Sequence, residues 1–465
     1  MAQTIDTYQA AIDFLYGRIN YERVDARAYS TSDLKLDRMR MLLSLLDHPQ
    51  EKIPAVHVAG TKGKGSTCTM IASVLAASGL KVGLYISPHI SAFEERMTVN
   101  GVRPSPMELV DLVRRLLPAV AEMDSLAGQM QPTYFELATA IAWLYFADRH
   151  ADIVVLEAGL GGRLDSTSVC CPRVCIITNI SRDHTQILGS TVRQIAWEKA
   201  GIIKPGVPLI CGITQPDALE LVTQICRERE SRLILLNRDL QVIQRRVAAD
   251  ADPSAMPPEP GTVVDLRTGT TEWSGIPVAL RGAHQAINTV LAVGAVDELR
   301  SQGWEIRDKA VWDGLAAVEW PARVEVVARR PIVVVDAAHN WESARALIAT
   351  LAEDFSPARR LLIFAATRDK DVSGLLRLLV PAFDTVILTR YLDNPRSVPI
   401  EELRSHIHAI SNKQVHVAES PASAWQTASQ LAEPDDLIAI TGSFFLVAEL
   451  RDLVIRQAGG TASSL

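Results

Sequence analysis

Short runs of apolar residues recur along the chain, separated by longer stretches whose apolar positions follow helical spacing. The runs at 53–59, 82–86, 153–156, 174–178 and 208–211 are almost wholly apolar, as strands buried on both faces are. Between them, 66–78, 106–120, 133–148, 191–200 and 217–230 carry helix periodicity. This alternation predicts a parallel sheet covered by helices on both sides. Residues 248–271 break the rhythm with Pro253, Pro257, Pro258 and Pro260, and read as an exposed loop or a small insertion. Helix periodicity returns at 282–299. A second alternation follows, with expected strands at 332–335, 361–364, 385–388, 415–418 and 437–440 and helices starting near Ser343, Val372, Ile400, Ala422 and Phe444. The pattern therefore predicts an α/β protein of two units, residues 1–302 and a smaller 303–465. It shows no short-period repeat.

Composition narrows the function classes. The 465 residues are 48% apolar and 22% charged, ordinary for a globular protein. A net charge of −7 argues against a general nucleic-acid surface, so no nucleic-acid partner is expected. The polar amino terminus lacks a basic region followed by an apolar run, and the apolar stretch 137–147 is too short to span a membrane. A cytoplasmic protein with no membrane partner is expected. Cys68, Cys170, Cys171, Cys175, Cys211 and Cys226 sit in or beside apolar runs. They read as reduced, buried thiols; their spacing matches no familiar zinc pattern.

Polar motifs fall where apolar strands end, the usual place for ligands of open parallel sheets. Gly60-Thr61-Lys62-Gly63-Lys64-Gly65-Ser66 follows a strand and opens a helix. Glycines there let backbone N–H groups approach an anion, the helix N-terminus adds partial positive charge, and Lys64 can reach phosphates. The spacing is shorter than the general phosphate-loop pattern, and Gly65 stands where a hydroxyl residue usually follows the lysine. Glu157 sits where the apolar run 153–156 ends and opens Glu157-Ala-Gly-Leu-Gly-Gly-Arg163-Leu-Asp165; a carboxylate there can hold Mg2+. Asp183-His184 follows another strand, where the imidazole reads as a metal ligand or a phosphate donor, against a structural histidine. Lys199 and Lys204 read from composition alone as charges at a helix C-terminus. Asp336 and His339 follow a strand of the second unit; Asp336 reads equally well as a ribose-binding carboxylate or a helix N-terminal one.

Taken in order, GTKGKGS (60–66), YISPHI (85–90), LEAGLGGRLDSTS (156–168), the segment 181–206, GAHQAIN (282–288), WPAR (320–323), DAAHN (336–340) and TGSFFLVAELR (441–451) resemble the folylpolyglutamate synthase and dihydrofolate synthase family of Mur-type ligases. The resemblance spans nearly the whole chain. It implies a P-loop ATPase-like first domain with the glutamate ligation completed by a Rossmann-like second one. It implies ATP and Mg2+, with K+ as a further cation, and a monomer acting on folate or dihydropteroate and L-glutamate. By position it implies an ATP phosphate site at 60–66 and Mg2+ ligands at Ser87, Glu157 and His184. Asn288, Arg323 and Asp336 match nucleotide-binding positions, and His339 and Ser443 match positions near phosphate and glutamate. Thr133, Phe135 and Asp165 match pterin-site residues, Ser91 to Arg96 a mobile loop beside the folate, and Lys199 a lysine carbamylated in the family. The family usually has Asn at Lys62, Asn at Ser168 and Gly at Ala322.

The chemistry implied is activation of a carboxylate as an acyl phosphate, then attack by the amine of glutamate. Lys64, His184, Lys199 and His339 are the residues expected to carry it. A cell-wall Mur ligase would share this chemistry, but its uridine-nucleotide domain needs more chain before the phosphate loop than stands here. A silent nucleotide-binding scaffold would be expected to lack Lys64, Glu157 or His184, and all three are present.

Overall fold

The computed structural model describes residues 5–22, 34–126, 130–247, 261–269, 271–368, 370–392 and 394–457. Its first unit is built on seven strands: β1 (Ala55–Ala59), β2 (Val82–Tyr85), β3 (Met97–Val99), β4 (Ile153–Glu157), β5 (Pro172–Ile177), β6 (Leu209–Cys211) and β7 (Leu233–Leu235). They lie in the order β3-β2-β4-β1-β5-β6-β7. All neighbours are parallel except β2 and β3, which pair antiparallel at one edge. The centre matches the expectation because β1 and β4 are buried at every position. Helix Tyr134–Asp148 closes one face; its Thr133 cap accepts the Glu136 N–H at 3.3 Å while the Glu136 carboxylate takes the Thr133 N–H at 2.8 Å. The other face takes helices Lys64–Ala77 and Ala283–Ser301.

Of the two readings of 248–271, the exposed loop is corrected for its described part, which belongs to a small sheet. Strands β8 (Leu240–Val247), β9 (Thr262–Thr268) and β10 (Thr271–Val278) form an antiparallel sheet in the order β10-β9-β8. In β9, Val264 and Leu266 are buried and their neighbours face outward, a half-buried alternation that polar threonines and an aspartate disguise. Residues 248–260 and 270 lie outside the described residues.

The second unit holds β11 (Glu325–Arg329), β12 (Ile332–Val335), β13 (Arg360–Phe364), β14 (Thr385–Leu388), β15 (Val415–Val417) and β16 (Leu437–Thr441), ordered β11-β12-β16-β13-β14-β15. Only β11 pairs antiparallel. The expected boundary at 302 is too early. Ile306, Ala310, Val311, Leu315 and Val318 pack into the first unit's core, and Ala322 and Val324 into the second's. Packing therefore passes from one unit to the other near 319–321.

All six cysteines are free thiols, five buried and Cys171 exposed. Among the described residues no helix is long and apolar enough to cross a membrane.

Candidate active site

The site assembles where β1, β2, β4 and β5 end. Helix Lys64–Ala77 starts after Gly63, whose φ of +80° is open to glycine at little cost. Gly65 answers the sequence anomaly differently: a Cβ there would lie 2.5 Å from Trp320 Cζ2 and 3.2 Å from a Glu157 oxygen. The hydroxyl residue of the general pattern is excluded by the tryptophan that begins WPAR. Ser66 is buried and receives the Gln285 side-chain N–H at 3.4 Å. Gln285 in turn accepts from Asn288 at 2.8 Å, so GAHQAIN lies against the phosphate loop.

Lys64 Nζ stands 3.7 Å from Glu157 Oε1. The other Glu157 oxygen accepts the Ser87 N–H at 3.2 Å, so β2 and β4 deliver Ser87 and Glu157 to one place. Burial raises the Glu157 carboxyl above its usual range, and Lys64 pulls the other way. The loop is fastened to the segment after β5. Thr61 N–H donates to the Asn179 carbonyl, Lys62 N–H donates to Asn179 Oδ1 at 2.9 Å, and Lys62 Nζ pairs with Asp183 at 2.8 Å. The extra charge of Lys62 therefore has a carboxylate partner.

Lys199 does not serve as an exposed helix-terminal charge. It is buried, and its ammonium donates to the Gly60 carbonyl at 2.8 Å. Burial, with Lys64 nearby, lowers its pKa to about 7. Lys204 donates to the Ser168 carbonyl at 2.7 Å. His184 sits half exposed with φ +51°. Among the described residues, no three His, Cys, Asp or Glu side chains gather closely enough to hold a metal alone.

The second unit meets this site through Arg323 and His339. Burial lowers the Arg323 pKa, although Asp336 and Glu157 favour its charge. Its guanidinium lies 5.8 Å from the Trp320 ring and 5.0 Å from Phe444. Asp336 is no helix cap: its oxygens take the Val324 and Ala338 N–H groups, each at 2.8 Å. Asn340 caps the following helix instead, accepting from Ser343 at 3.1 Å. His339 Nδ1 lies 2.9 Å from the Ala337 carbonyl, and burial, then Lys62 and Lys370, holds its pKa down to about 3. Ser443 is buried near Thr367, which takes the Tyr391 hydroxyl at 2.9 Å.

Thr133 caps helix Tyr134–Asp148, while Phe135 and Asp165 lie at the turn after β4. Phe135 fills the space a Gly159 side chain would need. Asp165 accepts from Leu160 N at 2.8 Å, Thr167 N at 3.0 Å and the Thr167 hydroxyl at 2.5 Å, and so closes its own loop. Sequence reasoning did not single out Asn179, Trp320 or Lys370 as site residues. Asn179 directly follows an apolar run and Trp320 opens WPAR, which were the available signals; Lys370 had none.

Two family models match the chain: the Mur ligase middle domain over residues 58–296 and the Mur ligase glutamate ligase domain over 322–444. A Bacillus subtilis dihydrofolate synthase/folylpolyglutamate synthase is 35% identical over 446 residues, covering 96% of this chain and 98% of that one. The chain belongs to the folylpolyglutamate synthase/dihydrofolate synthase family of Mur ligases. Solved relatives share the two-domain family fold. A Mycobacterium tuberculosis folylpolyglutamate synthase complexed with ADP superposes with a TM-score of 0.85 at 32% identity, covering 97% of this chain and 99% of that one. An Escherichia coli relative in complex with DHPP and ADP gives 0.81 at 27% identity, covering 98% and 100%.

Proposed function

We propose that this family member is an ATP-dependent ligase that adds L-glutamate to a folate, to dihydropteroate, or to both, through an acyl phosphate. The observation that carries the reading is the meeting of Lys64, Glu157 and Ser87 beneath Trp320 and Arg323, between the two units. Lys64 and the loop N–H groups neutralise charge as the γ-phosphoryl group passes to the substrate carboxylate. Asn288, Arg323 and Asp336 belong to the nucleotide side, and His339 and Ser443 face the phosphate and glutamate end. Closing the units around the reactants would exclude the water that hydrolyses an acyl phosphate.

The donor types suit Mg2+: the Glu157 carboxylate, with Ser87 in contact with it, would leave coordination positions for the phosphate oxygens and waters this ion prefers. Ser87, Glu157 and His184 would hold it, and it would screen the phosphate charge. A pKa of about 7 leaves a good share of Lys199 as the free amine that carbamylation requires. Thr133, Phe135 and Asp165 are the proposed pterin group, with Asp165 also shaping the loop.

ADP release with dihydropteroate or tetrahydrofolate plus glutamate, against uridine-nucleotide peptide substrates, tests the function directly. Turnover only on the uridine substrates would refute it. Lys64→Ala should abolish amide formation while the circular dichroism spectrum and melting profile stay those of the parent; normal turnover would remove Lys64 from the phosphate site.

A further inference from the structure

Lys62 stands inside the phosphate loop, yet its charge is committed elsewhere. Its N–H donates to Asn179 Oδ1 at 2.9 Å, and its carbonyl accepts from Asn179 Nδ2 at 3.0 Å and Thr178 Oγ1 at 2.6 Å. This fixes the backbone from which the side chain leaves. Its ammonium then meets Asp183 Oδ2 at 2.8 Å, in a pair whose side chains are 28% and 22% exposed. The second Asp183 oxygen accepts the His184 N–H at 3.0 Å. One carboxylate thus joins Lys62 to the backbone of His184.

That backbone needs holding. His184 has φ +51° and starts a helix of only four residues, Thr185–Leu188. A left-handed non-glycine residue costs about 1–2 kcal/mol, so His184 stays there only if its surroundings require it. Lys64, two residues beyond Lys62, faces Glu157 instead. The loop's two lysines therefore have different partners.

We propose that Lys62 is a positioning residue: through Asp183 it fixes the backbone at His184, and so sets where that imidazole stands relative to the phosphate loop. This rests on the nucleotide and Mg2+ reading above. Groups that orient a metal ligand typically contribute about 10–100-fold to metal affinity, whereas a direct phosphate cation strengthens nucleotide binding with or without metal.

Calorimetric titration of the full chain with a non-hydrolysable ATP analogue, in Mg2+ and in EDTA, separates the two roles. In Lys62→Met the ratio of affinities in Mg2+ and in EDTA should fall about tenfold or more below the parent's. Asp183→Asn should show the same loss, and the double variant no more than either alone. Lys62→Arg, which keeps a cation for Asp183, should restore most of the gain and serves as the folded control. Equal weakening of Lys62→Met in EDTA and Mg2+ would overturn the proposal in favour of direct phosphate contact. An unchanged Mg2+ gain in Lys62→Met would overturn it outright. If the parent itself bound no analogue, the nucleotide reading would fall, and the proposal with it.

Discussion

Ala322 carries local strain in the turn that enters the site. Its φ is +58° and it is fully buried, so its Cβ faces the carbonyl clash that makes this region costly for L-residues. The resembling family usually has glycine at this position, and the geometry supplies the reason. Ala322 lies between Trp320, which covers Gly65, and Arg323, which stacks over Trp320 and Phe444. The turn that aims these two side chains is held in place by the Ala322 N–H, which donates to Glu325 at 2.9 Å. Replacing Ala322 with Gly should relieve the strain, partly offset by the greater freedom of glycine in the unfolded chain. A net gain of about 1 kcal/mol is expected, read as a higher urea midpoint with an unchanged slope. A lower midpoint would show that the Ala322 methyl group's packing outweighs the strain.

Helix Val192–Ala200 shows how an element can invert the meaning of a residue. Its last turn carries Lys199, a favourable place for an exposed cation. The helix is instead pressed against the phosphate loop, and the amine is buried against the Gly60 carbonyl. Lys199 has a folded pKa of about 7 against an ordinary lysine value of 10.5. Between those values the unfolded chain binds a proton that the folded chain has released. This group's contribution to stability therefore rises with pH across that window, and is flat below it. Lys199→Met should remove that rise, at most about 1.4 kcal/mol per pH unit, in urea titrations at pH 7, 8 and 9 in carbon-dioxide-free buffer. An unchanged pH slope would show that Lys199 is not the titrating group. The contrast marks what the chain discloses by itself. β1 and β4 were legible because residues buried on both faces must be apolar throughout. β9 was not, because only alternate residues are buried and a proline-rich stretch precedes it. Lys64 and Glu157 were legible from their places at strand ends. The burial of Lys199 and the pairing of Lys62 with Asp183 were not, since both depend on which loop lies across the helix end.

At the scale of the whole molecule, hydrogen bonds and ion pairs tie the units together. At the mouth of the site, Ser181 donates to Glu342 at 2.7 Å. Farther out, helix Trp341–Asp354 ends in Glu353 and Asp354, which meet Arg245 of β8 and Arg281 at the start of GAHQAIN. Arg245 pairs with Glu353 at 2.6 Å and also with Asp354, and Arg281 lies 3.8 Å from Asp354 with its guanidinium 5.4 Å from the Phe355 ring. The Asp354 side chain is wholly buried. A buried carboxylate between two arginines is costly to desolvate, but removing it leaves both cations without their shared counter-charge. The small antiparallel sheet thereby gains a purpose: it carries Arg245 across to the second unit. Asp354→Ala should destabilise the junction by about 3–5 kcal/mol. Because the ion pair joins the units rather than either core, the loss should appear as two separated melting transitions where the parent shows one, or as a larger radius of gyration in solution scattering. Glu353→Ala removes a half-exposed partner, and should cost about 1 kcal/mol or less. If both variants melted alike, Asp354 would not be what couples the units, and their relative position would depend on the Ser181–Glu342 contact and the packing of Trp320 on the phosphate loop.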